Sequence, residues 1–325
     1  MIFSRDISCC QTGAACVAIG SFDGVHLGHQ ALIRAMVESA KALHVPSVVI
    51  NFYPQPIVVF KQIERDFYIT ELEERKTLIG DLGVDYLITL PFTLALAQTS
   101  AFDFLRDLHQ RFGMRELWVG EDFALGKGRS GDVTRLREIG AELGFQLFAI
   151  PHVRVGAEVV SSSLIRAALR AGDLVRAERF LGRPFIIKGT VIHGARRGHE
   201  IGYPTANVAM DAMRVALREG VYWTRFTVDG VEHTGATSVG TNPTFVHLPN
   251  PPISVETYIL DFDEYIYDKM VQIEFRQFLR DQVVYSSVES LVEQIAKDVA
   301  EVRGYERNDS TRPANLLTRP AETHS

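Results

Sequence analysis

The feature that most constrains this chain is a change of hydrophobic period near Pro184. Before it, the apolar runs CVAIGSF (16–22), SVVINF (47–52), YLITLPF (86–92), ELWVGEDF (116–123) and FQLFAIP (145–151) alternate with stretches of helical period at about 29–44, 70–82, 101–112 and 132–144. Repeated strand–helix–strand order needs crossover connections, which build a Rossmann-like parallel sheet with helices on both faces. Ligands of such sheets bind beyond the carboxyl ends of the strands. Residues 161–183 read as two short helices. After Pro184 the runs FIIKGTVIHG (185–194), GVYWTRFTVDGVEHTGATSVG (220–240) and SVETYILDF (254–262) alternate with period two between Gly, Asn and Pro turns, the pattern of a small antiparallel β-barrel. A helix over about 287–303 closes the chain, and the Pro- and Thr-rich end has little to bury. The expected division is 1–182, 183–305 and a disordered tail, 306–325.

A length of 325 residues suits two cores of this size. With 46% hydrophobic and 23% charged residues the composition is that of a soluble globular protein. The net charge of -6 argues against a nucleic-acid footprint. Cys9, Cys10 and Cys16 form no CxxC pair, so neither a disulfide framework nor a zinc site is expected. The first 20 residues lack a basic segment followed by an apolar core, and no apolar run reaches the roughly 18 residues of a membrane span. These features predict a cytoplasmic protein without a membrane partner.

The sharpest local motif is Gly20-Ser21-Phe22-Asp23-Gly24-Val25-His26-Leu27-Gly28-His29, where the first long strand hands over to the first helix. Two histidines three apart share a helix face, and the helix start offers free N–H groups and a positive dipole end to a phosphate. Gly28 leaves room between them for a bound group. The same pair could simply satisfy a polar turn. Further on, Gly120, Gly126, Gly128 and Gly131 with Lys127 and Arg129 form a basic loop suited to phosphates, or a plain connector. Ser161, Ser162 and Ser163 with Arg166 place hydroxyls and a guanidinium at a helix start, as a phosphate grip or an ordinary cap.

GSFDGVHLGHQALI (20–33) resembles the HxGH signature of the class I nucleotidyltransferases, in the version found in prokaryotic bifunctional riboflavin kinase/FAD synthetases. NFYPQP (51–56), GVDYLITLPF (83–92), VGEDFALGKGRSGD (119–132) and VSSSLIRAAL (160–169) are similar to that family's later blocks, in family order. The resemblance implies transfer of the AMP group of ATP to FMN, with release of pyrophosphate and formation of FAD. It implies His26 and His29 as catalytic residues, Gly20, Phe22, Asp23, Gly28, Ser162, Ser163 and Arg166 around ATP, and Asn51, Asp122, Lys127 and Arg129 around the FMN phosphate. Asp23 and Asn51 could equally be structural.

In the second half, GTVIHGARRGHEIGYPTANV (189–208), GTNPTF (240–245), VETYILDFD (255–263) and FLRDQVVYSS (278–287) look like the blocks of the riboflavin kinase barrel. The loop from Gly194 to Gly198 is basic and bounded by glycines, and Thr205 and Asn207 either offer hard oxygen ligands to a magnesium ion carrying ATP or belong to a plain turn motif. The resemblance makes Glu256 the base that deprotonates the ribityl hydroxyl of riboflavin, and Arg280 a flavin contact. Five positions depart from the family pattern: Gln55 for His, Ser163 for Thr, His199 for Arg, Ser238 for Asn and Asp268 for Gly. A neutral His at 199 cannot make an Arg fork, and Asp268 would strain a turn that needs positive φ. The implied partners are riboflavin, FMN, FAD and ATP, with Mg2+ as cofactor; self-association stays open. The alternatives are an adenylyltransferase with an impaired kinase half, one acting on another phosphate ester, or a flavin-binding regulator.

Overall fold

The structure is a computed structural model and describes residues 1–7, 11–194, 198, 201–241 and 253–309. Cys9, Cys10, Ala195, Arg196, Arg197, His199, positions 242–245 of GTNPTF and the tail from 310 lie outside the described residues. The chain forms two compact units. The first comprises Met1–Ala168, Arg176–Arg183 and Met213–Val215; the second comprises Leu169–Val175, Pro184–Ala212 and the chain from Ala216. A single cut at 182/183 was expected, but short segments on each side of it belong to the other unit.

The first unit is a parallel sheet of β1 (Ile2–Ser4), β2 (Ala15–Ile19), β3 (Ser47–Phe52), β4 (Tyr86–Leu90), β5 (Met114–Gly120) and β8 (Gln146–Ile150), in the order β1-β4-β3-β2-β5-β8. Between β5 and β8 lies a short antiparallel pair, β6 (Ala124–Leu125) with β7 (Gly131–Asp132), and β9 (Arg154–Val155) pairs with β10 (Glu158–Val159). Period-two alternation sorts the strands between two cores. Ala15, Val17 and Ile19 meet Leu105, Leu108 and Phe112 of α4 (Ala101–Phe112) and Leu136 and Ile139 of α5 (Val133–Leu143). Cys16 and Ala18 face Ile33, Met36 and Val37 of α1 (Leu27–Ala42) and Ile79 of α3 (Leu72–Gly80). Each such Leu, Ile or Phe contributes about 1.5–3 kcal/mol by leaving water. The expected helix at 70–82 begins only at Leu72, because Thr70 is held by other contacts. The short elements were not foreseen: the three-residue edge strand β1, the two-residue pairs β6–β7 and β9–β10, and α2 (Pro56–Lys61), which starts at a proline. Cys16 is a buried thiol donating to the Glu116 carboxylate; burial first, then Glu116, pushes its pKa up to about 12.

The second unit is a closed antiparallel barrel of β11 (Phe185–Ile192), β12 (Thr205–Val208), β13 (Gly220–Val228), β14 (Val231–Thr241), β15 (Ile253–Ile259) and β16 (Met270–Arg280), in the order β11-β12-β15-β14-β13-β16. Tyr222, Phe226 and Phe275 are buried, and Thr224, Thr237 and Thr257 join hydroxyls across three strands at 2.7 and 2.8 Å. Buried polar groups survive in a core only when paired in this way. The helices α6 (Ser162–Ala171) and α7 (Leu174–Leu181) precede the barrel, and α8 (Val288–Asp309) follows it. Val302 of α8 packs with Trp223 and Leu260, Tyr305 stacks on Trp223, and Arg303 grips Asp261 with two bonds. These contacts carry the helix to Asp309, so the first four residues of the expected 306–325 tail are helical.

Asp268 adopts φ 64°, and its N–H donates to the Val191 carbonyl at 2.9 Å. The turn therefore needs the left-handed region, and an exposed aspartate occupies it. Asp268→Gly is expected to raise the stability of the barrel by about 0.5–1 kcal/mol, read as a higher urea midpoint at unchanged slope.

Candidate active site

In the first unit the site grows from the turn between β2 and α1. Phe22 has φ 48° and Val25 φ 40°, both rare for bulky side chains, and both are buried in the core under α1. Core packing thus holds a strained backbone at a strand's carboxyl end, where strain gathers at functional sites. His26 caps α1: its Nδ1 accepts from the His29 N–H at 3.3 Å. The two imidazoles stack with centroids 3.6 Å apart, and the Phe22 ring meets His29 edge-on. A side chain at Gly28 would strike His26 at 3.1 Å, and one at Gly20 would strike Phe22 at 2.8 Å. The space at Gly28, expected to admit a bound group, therefore admits the His26 ring.

Burial lowers the His26 pKa to about 4 and keeps that of His29 well below the usual value, helped there by His26 and Arg75. Both rings are neutral at pH 7. The unfolded His26 titrates near 6.5, so between pH 6.5 and 4 the unfolded chain binds more protons. The stabilisation is complete above pH 6.5 and is lost as pH falls through 4. On the order of 3 kcal/mol is at stake. Urea unfolding of this unit should accordingly lose stability more steeply with acid than in a His26→Gln variant.

Asp23 is fully buried and saturated with donors: the N–H groups of Ile69 and Thr70, the Thr70 hydroxyl, Arg75 at 3.1 Å and Arg166 at 2.8 Å. Arg166 also donates to the Phe67 carbonyl and lies over the Phe67 ring at 4.1 Å. The two residues expected to face ATP are thus ion-paired with each other. Ser162 donates to the Asp23 carbonyl, Ser161 caps Leu164, and Ser163 is exposed. Arg75, Thr70 and Phe67 went unnoticed in the sequence. Arg75 stands in the charged run LEERK, which resembles a solvated helix face, yet it is completely buried.

Asn51, on β3, is buried; its Oδ1 accepts from Thr89 at 2.6 Å and its Nδ2 has no partner. The nearby Gln55 is buried too, with an unpartnered Nε2. Beside the turn lies a cavity of about 640 Å3 lined by Phe52, Phe60, Phe92, Phe104 and Phe123, with Gly20 and Ser21 from the turn and Asp122, Gly126, Gly128 and Arg129 from the glycine loop. Arg129 donates to the Asp122 carbonyl; Lys127 is exposed and is not among the lining residues. The aromatic wall was also missed, since its five rings come from five separate segments.

In the second unit a cavity of about 360 Å3 gathers Gly198, Tyr203, Thr205, Ser238, Glu256, Tyr258, Arg280 and Gln282. Register places Glu256 between Asn207 on β12 and Ser238 on β14, and Ser254 donates to its carboxylate at 2.7 Å. Gly194 lies so close to Asn207 that a side chain there would reach the amide at 2.3 Å. Ser238 accepts from Gln282, which also reaches the Val239 carbonyl, so this departure from the family pattern is absorbed by a neighbour. Arg280 lines the cavity but spends its fork on Asp298 at 2.8 and 2.6 Å, which raises its pKa. Arg280, expected as a flavin contact, thus lines the cavity while tied to α8.

A sheet that places uncharged histidines at a strained strand–helix turn, joined in sequence to a barrel with a carboxylate among hard oxygen donors, defines an enzyme of two phosphorus-transfer units. Residues 10–164 match the FAD synthetase family model and residues 181–305 the riboflavin kinase model. The chain is 38% identical to the bifunctional riboflavin kinase/FMN adenylyltransferase of Pseudomonas fluorescens, over 89% of this chain and 92% of that one. It is 35% identical to that of Listeria monocytogenes, over 89% and 91%. A solved structure described as a macrolide-efflux protein from Streptococcus pneumoniae shares the fold, with a TM-score of 0.83 and 28% identity over 93% of this chain and 98% of that one. Among the described residues no helix is long and apolar enough to cross a membrane. The chain belongs to the bifunctional riboflavin kinase/FMN adenylyltransferase family. It phosphorylates riboflavin to FMN and adenylylates FMN to FAD, using ATP in both steps.

Proposed function

We propose that the first unit binds ATP at the β2–α1 turn and the flavin of FMN in the phenylalanine-lined cavity beside it. An FMN phosphate oxygen then attacks the α-phosphorus of ATP; the new P–O bond forms as the bond to pyrophosphate breaks. His26 and His29, neutral and dry, donate ring N–H groups to phosphate oxygens, and water exclusion strengthens each bond. Asn51 and Gln55 hold unused buried amide donors that suit a polar group of the substrates. Asp122, Arg129 and Lys127 sit on the loop that would meet the FMN phosphate. Arg166 turns from Asp23 to ATP only if the pair opens, and Arg75 then keeps Asp23 neutralised. What supports this reading most is the stacked, uncharged histidine pair on the same β2–α1 turn whose Gly20 and Ser21 line the aromatic cavity.

In the second unit Glu256 takes the proton of the ribityl 5′-hydroxyl as that oxygen attacks the γ-phosphorus of ATP, and ADP leaves. The donors present suit magnesium: a hydroxyl at Thr205 and an amide oxygen at Asn207, cradled against Gly194 where no side chain would fit. Mg2+ held there would neutralise the ATP phosphates. We place this ATP-consuming enzyme in the cytoplasm. The test is to incubate the chain with ATP, Mg2+ and either riboflavin or FMN and to separate the products by chromatography. FAD should form from both, through FMN in the first case. FAD from FMN with none from riboflavin would overturn the assignment of the barrel residues.

A further inference from the structure

The first unit is not made only of the first half of the chain. Residues Met213–Val215, which follow β12 in sequence, belong to it. The sequence around them, AMDAMRVALRE (209–219), reads as a connector. The Met213 carbonyl accepts from the N–H groups of Phe67 and Tyr68 at 2.9 and 2.8 Å, Val215 donates to the Tyr68 carbonyl at 2.8 Å, and Arg214 bridges to Tyr68 in parallel register. Arg214 is almost fully buried and pairs with Glu74 of α3 at 2.5 Å.

The strip Phe67–Thr70 that this segment grips is the one that organises the nucleotide turn. Its N–H groups at Ile69 and Thr70 bind Asp23, and its Phe67 carbonyl and ring hold Arg166. Glu74 also stands 4.0 Å from Arg183, which donates to the Gly24 carbonyl of the turn at 2.8 Å. One buried carboxylate, Glu74, adjacent to Arg75 on α3, thus meets Arg214 and, through Arg183, the turn itself.

We propose that Arg214 is a positioning residue for adenylylation: through Glu74 and the 67–70 strip it sets the geometry of Asp23, Arg166 and the β2–α1 turn. The inference rests on the reading of that turn as the ATP site. A buried ion pair is weak evidence for stability but a good device for fixing one arrangement. Small displacements of a phosphate grip cost much rate, whereas Arg214 has no part in the barrel's chemistry.

The test measures both reactions in the full chain carrying Arg214→Met, with Arg183 left to neutralise Glu74. The KM for ATP in FAD formation from FMN should rise about 10-fold or more, with riboflavin phosphorylation unchanged. A residue that merely adds stability would lower the melting temperature and leave this KM alone, and that result overturns the proposal. If Arg214→Met does not fold, Glu74→Gln/Arg214→Met removes the buried charge left behind, and the same KM rise is expected. A wild-type KM in the double variant also overturns it. His29→Ala is assayed in parallel: if FAD formation survives that change, the ATP-site reading itself fails, whereas loss in His29→Ala with no effect at Arg214 sinks only the positioning role.

Discussion

His29→Ala is expected to lower FAD formation from FMN by about 100- to 1,000-fold, the usual cost of removing one oriented donor from a dry anionic site. Riboflavin phosphorylation should persist, so FMN accumulates when riboflavin is supplied. His29 is half-buried and stacked on His26, and its buried Nδ1 has no hydrogen-bond partner. An imidazole kept uncharged by burial cannot act as a fixed positive charge; it acts by hydrogen bonding. The rate of this step should therefore show no inflection near pH 6.5, where an exposed histidine would titrate. Stopped assays of FMN-to-FAD conversion from pH 5.5 to 8 check both statements, and activity in His29→Ala close to wild type would remove the histidine from the mechanism.

The mirror-image result is expected for Glu256→Gln: loss of riboflavin phosphorylation by about 100- to 10,000-fold, the range for removing a general base, with FAD formation from FMN intact. Gln keeps the shape and an acceptor for the Ser254 hydroxyl, so the barrel should unfold at the same denaturant concentration as wild type. Glu256 sits opposite Asn207 and Ser238 on a rigid barrel, not on a loop, and positional precision comes with that placement. Thermal unfolding separates chemistry from folding here: loss of activity with an unchanged transition supports the base, and equal loss of both points to packing.

Much of the fold was legible because it rests on period. Apolar runs separated by helical stretches announced the parallel sheet, and the change near Pro184 announced the barrel. Strand β16 carries the same signal in Val271, Ile273 and Phe275, which alternate with polar neighbours. Strand β12 was read for its chemistry and not as a strand. The sites were legible where chemistry and chain neighbourhood coincide, as with His26 and His29. They were illegible where a partner comes from far away: nothing in LEERK reveals that Arg75 is buried against Asp23, or that Glu74 answers to Arg214, 140 residues on. The strain at Asp268 could be foreseen because a position that asks for glycine can be recognised by its substitute, and φ 64° is the outcome.

The excursion of residues 213–215 into the first unit also orders events during synthesis. At about 5–20 residues per second a ribosome needs a few seconds to pass from Arg183 to Val215. Throughout that interval the nascent first unit has its sheet and histidines but not the arginine that meets Glu74. It is completed only after β12, with Thr205 and Asn207, has been translated. The unit that consumes FMN is thus encoded first but closed only after the barrel has begun, and a gene cut at the apparent module boundary would separate it from its own last piece.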